Sequence, residues 1–320
     1  RAALVPEPAG PGGQRRRPHA VARHMAVVQR RLGRLNPTVR GLLWSALAGV
    51  LFVLLNAVMR GLALQLDAFQ TQFLRYVAGC AVLAPLVLRG GWRAYRPQSI
   101  GGQFARGAVH TAGLCLWFIA IPHITLADTT AIGFTTPIFI MLGAWLVFRE
   151  PMRWERWIAA LIGFGGVLIV VAPKLSGSAG LYNLVMLASA PVFAASFLIT
   201  KGLTRHERPT VIVVWQSITV ALCSLPLALL HWQHPTPAQW GLFLVCGLLG
   251  SAGHYCLTRS FSIADISATQ SVKFLELVWA SLLGWVLFAD WPSRSTLLGG
   301  VVIFASTLWI ARRESRSARV

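Results

Sequence analysis

Between residues 39 and 311 the chain alternates long apolar runs with short polar breaks. Ten runs can be drawn, at 39–59, 69–88, 101–121, 127–148, 155–172, 181–200, 210–230, 238–258, 265–289 and 295–311. Each is near the ~20 residues a helix needs to cross a bilayer core. The breaks are short and many carry Gly or Pro, which predicts neighbouring helices packed as antiparallel hairpins.

The runs repeat. The stretch from Ala127 is written on the same plan as the stretch from Ala264. Each opens with Ala-Asp (Asp128, Asp265), runs apolar, closes with Phe, one residue and an acid (Phe148 and Glu150; Phe288 and Asp290), then starts a Gly-rich run. Arg60-Gly61-Leu62 matches Lys201-Gly202-Leu203, Pro85 matches Pro226, and Ala112-Gly113 matches Ala252-Gly253. The unit is thus five runs long. Five is odd, so the second copy would enter the membrane from the opposite side, as an inverted repeat.

Composition agrees. Charged residues are 12% and hydrophobic residues 55%, against about 25% charged in soluble domains. That is too much apolar sequence for one soluble helical core. The net charge of +19 is not gathered on one face or interleaved with stacking aromatics, so no nucleic-acid partner is expected. Basic residues instead fill the N-terminal tail and alternate loops: Arg89, Arg93 and Arg96; Arg149, Arg153 and Arg156; Lys201, Arg205 and Arg208; Arg259; and the C-terminal arginines. The opposite side receives only Arg60, Lys174 and Arg294. That asymmetry predicts both termini in the cytoplasm. Residues 1–37, rich in Pro, Gly and Arg, read as a disordered basic tail, with Met25 a candidate natural start and no cleavable signal peptide. The expected division is 38–174 and 175–312 for the two repeats and 313–320 for a basic C-terminal tail. Cys80, Cys115, Cys223, Cys246 and Cys256 lie in apolar runs without Cys-x-x-Cys spacing, and read as small hydrophobes.

With the five-plus-five inverted repeat, Pro137-Ile138-Phe139 and Phe148-Arg149-Glu150-Pro151, the chain resembles the EamA domain of the drug/metabolite transporter superfamily. The resemblance runs from about Gly41 to Ala311. Phe274 to Gly284 resembles the metabolite and S-adenosylmethionine uptake branch; Pro137 has no twin there, its counterpart lying near Leu277. The resemblance implies an all-α, ten-helix, multi-pass inner-membrane carrier with a central cavity for small organic metabolites such as amino acids, nucleotide-like compounds or drugs. It implies no cofactor.

Charges at membrane depth are the candidate site. Lys273 and Glu276 share a helix face at i, i+3, and a charge at mid-bilayer costs about 2.5–3.5 kcal/mol even on a lenient scale. Lys273 can meet an anionic substrate group with Glu276 as counter-ion or proton carrier, or the two can form a structural pair. Arg75 is either a substrate contact or a structural partner, while Arg106 is expected to snorkel. His110 and His254, in matching helices, can bind a carboxylate, stack, relay protons or only bridge helices; neither has a second metal ligand one turn away. Asn56 is expected to face the cavity, and Phe134, Trp117 and Tyr255 can stack on substrate or simply pack. Pro137 is expected to kink the fourth run and act as a hinge. Asp128 and Asp265 are expected to cap their helices, and Glu150 and Asp290 to anchor at the interface or pair with Arg153 and Arg294. The runs at Gly163, Gly165 and Gly166 and at Gly299 and Gly300 read as close helix packing rather than nucleotide loops.

The sequence therefore predicts a secondary transporter working by alternating access, as monomer or homodimer, with protons a candidate coupling ion. No Walker motif is present to supply ATP drive. A lipid-headgroup flippase on the same fold is the alternative. An intramembrane enzyme is remote: Ser251 and His254 are close, but the chain has neither a nucleophile elbow nor HExxH.

Overall fold

The computed structural model describes residues 36–63, 65–120, 123, 132–151, 153–171, 180–288 and 294–317. Among them the regular structure is helical: α1 (Pro37–Ala63), α2 (Ala68–Gly90), a 3₁₀ turn (Trp92–Tyr95), α3 (Ile100–Ala120), α4 (Thr136–Phe148), α5 (Trp154–Val171), α6 (Gly180–Leu203), α7 (Pro209–Ala228), α8 (Pro237–Ile263), α9 (Ile266–Lys273), α10 (Leu275–Phe288) and α11 (Arg294–Ser317). Asp128, Lys174 and Asp290 lie outside the described residues.

Local chemistry sets several starts. The Asp67 carboxylate accepts from the Phe69 and Gln70 amides at 2.9 and 3.0 Å and caps α2. Thr236 and Gln239 form a reciprocal capping box on α8, with Pro237 in its first turn, where a missing N–H costs nothing.

Helices α1, α2, α7, α8 and residues Leu184–Leu203 of α6 are long and apolar enough to cross a membrane; Thr136–Phe148 and Leu297–Ile310 are shorter apolar segments. Large hydrophobics such as Leu146, Leu161, Leu248 and Phe304 face outward. Polar residues such as Arg106, His110, Gln216 and His254 are buried. A surface this apolar over a polar interior is what lipid, not water, selects.

The packing pairs one copy of the repeat with the other. α1 lies on α8, α3 on α6, α2 on α7, α4 on α9, and α5 on α11. Numbered within each five-run copy, these join first to third, third to first, second to second, fourth to fourth and fifth to fifth. The glycine runs serve close packing: a Cβ on Gly166 of α5 would stand 3.0 Å from the Gly299 carbonyl oxygen of α11. Ser306 of α11 donates to the Ala159 carbonyl of α5 at 2.8 Å.

Two differences from the expected boundaries bear on the site. The ninth run is broken at Phe274 into α9 and α10. The eighth extends to Ile263, so Arg259, expected in a loop, is helical. Both changes have one cause: Phe274 and the end of α8 are held by contacts from distant helices, which hydropathy does not register.

Candidate functional site

Both copies interrupt their fourth run at the same register. In the first, residues 134–135 form a turn before α4; in the second, Phe274 separates α9 from α10. The two phenylalanines meet, Phe134 and Phe274 having ring centroids 5.7 Å apart. Pro137 is therefore not a mid-helix kink: it sits in the first turn of α4, where proline is tolerated, and the interruption precedes it. In the second copy Lys273 closes α9 and Glu276 stands in the first turn of α10. Each charge complements its helix dipole.

Lys273 Nζ lies 3.4 Å from Glu276 Oε1 and 5.3 Å from the centre of the Phe197 ring. Glu276 packs over Gly49 of α1, whose added Cβ would be 3.0 Å from Glu276 Cγ.

A second polar cluster joins α2, α3, α7 and α8. Arg106 is buried, 2% exposed. Its Nε donates to Thr200 Oγ1 at 2.5 Å, Nη1 to the Ile212 carbonyl at 3.2 Å and Nη2 to Gln216 Oε1 at 2.7 Å. Three oxygens at the guanidinium compensate it in place, so it does not snorkel; the expectation failed because its partners come from α6 and α7, distant in sequence. With Gln216 Oε1 taken by Arg106, Gln216 Nε2 turns to His254, 3.2 Å from Nε2. Arg75 Nη2 approaches the same nitrogen at 3.4 Å. Both neighbours are donors, which suits His254 Nε2 to the acceptor role. His110 lies edge-on to His254, centroids 5.8 Å apart, and its Nδ1 is 3.2 Å from Ser196 Oγ. Phe52, Phe193 and Phe197 surround the two imidazoles at 5.0–6.3 Å. The cleft beside Arg75, Tyr76 and His254 measures about 10 Å³, room for about one water.

A third group lies where α4 ends and α9 begins. Arg149 has φ 53°, a left-handed cap that turns Glu150 inward. Glu150 Oε1 accepts from the Ile266 amide at 3.0 Å, and Oε2 from the Ser267 amide and hydroxyl at 3.1 and 2.6 Å. Arg156 donates to Asp265 Oδ2 at 2.9 Å and to Ser267 Oγ at 2.8 Å. Lys201 Nζ donates to the Phe261 and Ala264 carbonyls at 2.7 and 2.6 Å, satisfying the end of α8. Asp265 was expected to cap α9, but its side chain makes no capping bond. Glu150, from the other copy, caps that helix, which leaves Asp265 for Arg156. Glu150 is accordingly buried, 8% exposed, rather than an interface anchor.

The other sequence candidates scatter. Asn56 is exposed on α1 and joins neither cluster. Trp117 packs edge-on to Phe118 and Tyr255 edge-on to Trp44. Phe134 belongs to the apolar cluster around Phe274. The sequence reading missed Gln216, Tyr76, Ser196 and Thr200. Each is a polar residue inside an apolar run, and that interruption was the available signal.

Comparison with known proteins follows this architecture. The profile of the EamA-like transporter family matches residues 39–172 and again 180–312. A riboflavin transporter of Rhizobium johnstonii is 34% identical over 88% of this chain and 94% of its own. An S-adenosylmethionine uptake transporter of Rickettsia prowazekii is 27% identical over 88% and 96%. A pseudopaline exporter of Pseudomonas aeruginosa is 27% identical over 86% and 96%. One crystal structure superposes with TM-score 0.74 at 17% identity, covering 89% of this chain and 99% of that one, a likeness of fold alone.

Proposed function

Since the chain belongs to the EamA-like transporter family and is a multi-pass inner-membrane protein, we propose that it moves a small organic metabolite across that membrane by alternating access. One observation carries the reading: Arg106, His110 and His254 are buried in a bundle whose outer surface is apolar, with Arg75 and the Lys273–Glu276 pair beside them. Ionisable groups buried inside a membrane bundle are costly, and a path for a polar solute accounts for their presence. Ten spans with both termini on the cytoplasmic side fit the alternation of basic loops. The matched interruptions at residues 134–135 and at Phe274 supply a hinge in each copy, and the small cleft supports a conformation that must open to load.

Relatives named for riboflavin and S-adenosylmethionine favour a ring-bearing metabolite, and the aromatic shell of Phe52, Phe193 and Phe197 suits one. Nothing in those names singles out amino acids, and none of them favours the lipid-headgroup alternative or an enzyme. Uptake into proteoliposomes of labelled riboflavin, S-adenosylmethionine and amino acids, with and without a pH gradient, tests the proposal. Saturable uptake of a ring-bearing compound is expected. Acceleration by the gradient would implicate Glu276 or a histidine in proton coupling. Uptake of none by monodisperse protein would overturn the proposal.

A further inference from the structure

Arg75 and Arg106 carry the same group, yet their surroundings differ. Arg106 directs its guanidinium to three oxygens. Arg75 has none: its contacts are the Tyr76 ring, 4.6 Å below Cζ, and the long 3.4 Å approach to His254 Nε2. No carboxylate pairs with Arg75 among the described residues, and Glu276 is already held by Lys273. The fork that a guanidinium offers to a planar oxyanion is therefore largely unused.

The space beside it is built for a ligand group. The cleft is lined by Arg75, Tyr76, Ser251 and His254. Tyr76 is 3% exposed and its hydroxyl has no hydrogen-bond partner among the described residues, a second donor without an acceptor. Gly250 faces the guanidinium so closely that a Cβ there would stand 3.1 Å from Arg75 Nη2.

Resting on the transport reading above, we propose that Arg75 and the Tyr76 hydroxyl form an oxyanion subsite for a carboxylate or phosphate on the transported metabolite. The sequence had given that part to Lys273, but Lys273 is neutralised by Glu276. Oxyanion loading supplies acceptors to Arg75 and Tyr76 together and offsets the cationic balance of the centre.

Proteoliposome uptake is measured for pairs that differ in the anionic group: S-adenosylmethionine against decarboxylated S-adenosylmethionine, and flavin mononucleotide against riboflavin. The first pair reads carboxylate and the second phosphate. The member bearing the carboxylate or phosphate is expected to win by at least about tenfold in kcat/KM. Arg75→Gln should lower kcat/KM for that member by about 30-fold, Arg75→Lys by less and Tyr76→Phe by about fivefold, magnitudes of a charged hydrogen bond. The member without the carboxylate or phosphate should change by less than about threefold in each variant. Tyr76→Phe keeps the ring, so it serves as the readout if Arg75→Gln fails to fold. Transport that ignores the anionic group, or variants that lower both members alike, would overturn the subsite and leave the transport reading intact. Uptake of no probe, with no probe quenching the intrinsic tryptophan fluorescence of the protein in nanodiscs, would overturn both.

Discussion

The clamp at the start of α9 and the centre beside Arg75 use the same residue types to opposite ends. At the clamp, Glu150, Arg156, Asp265 and Lys201 all find partners of opposite charge or fixed carbonyls and amides. In the centre, Arg75 and Arg106 have only neutral partners among the described residues, and none of these offers Arg75 an oxygen. The difference teaches where this chain holds itself together and where it leaves chemistry open. Charges near the basic loops close the gap between the two copies; charges deeper in the bundle are left with capacity a solute can use.

Removing the clamp should have the largest effect. Glu150→Ala strips three acceptor contacts from the start of α9 and is expected to cost about 3 kcal/mol, read as a lower thermal midpoint in detergent; an unchanged midpoint would mean that the clamp does not hold the copies. In the centre the cost should fall on transport instead. Lys273→Ala is expected to reduce uptake about 100-fold, equivalent to about 2.7 kcal/mol, in a protein that elutes as the parent does. Normal uptake would reduce the Lys273–Glu276 pair to a structural contact, and the double variant with Glu276→Ala measures their coupling. Gly250→Ala pushes on the Arg75 guanidinium and should lower uptake about tenfold, about 1.4 kcal/mol, with little change in melting. Equal uptake would mean that the position of Arg75 is not critical. The smallest effect is expected at Arg149, whose left-handed backbone costs a non-glycine residue about 1 kcal/mol. Arg149→Gly should preserve the clamp and raise the melting midpoint slightly, whereas a fall would show that the arginine side chain supports the turn.

Much of this was legible from hydropathy and spacing. The apolar runs and the doubled plan are local or periodic, and Lys273 and Glu276 are close enough in sequence to meet even across the break at Phe274. Arg75, His110 and His254 were visible as polar residues the membrane should not tolerate without reason. Which of them meet was not legible: the chain from Arg106 through Gln216 and His254 to Arg75 spans four helices, and no sequence spacing encodes it. Asn56, expected to face the cavity, is exposed on α1 and joins neither cluster.

The sequence by itself determined an apolar, twice-written helical chain with ionisable residues at membrane depth, because solvent preference and periodicity act residue by residue. Only the tertiary structure decided that Glu150 rather than Asp265 caps α9, that Pro137 begins a helix rather than bending one, and that Arg106 is satisfied while Arg75 is not. Those outcomes depend on which acceptor a neighbouring helix brings within about 3 Å, a distance set by packing between the two copies.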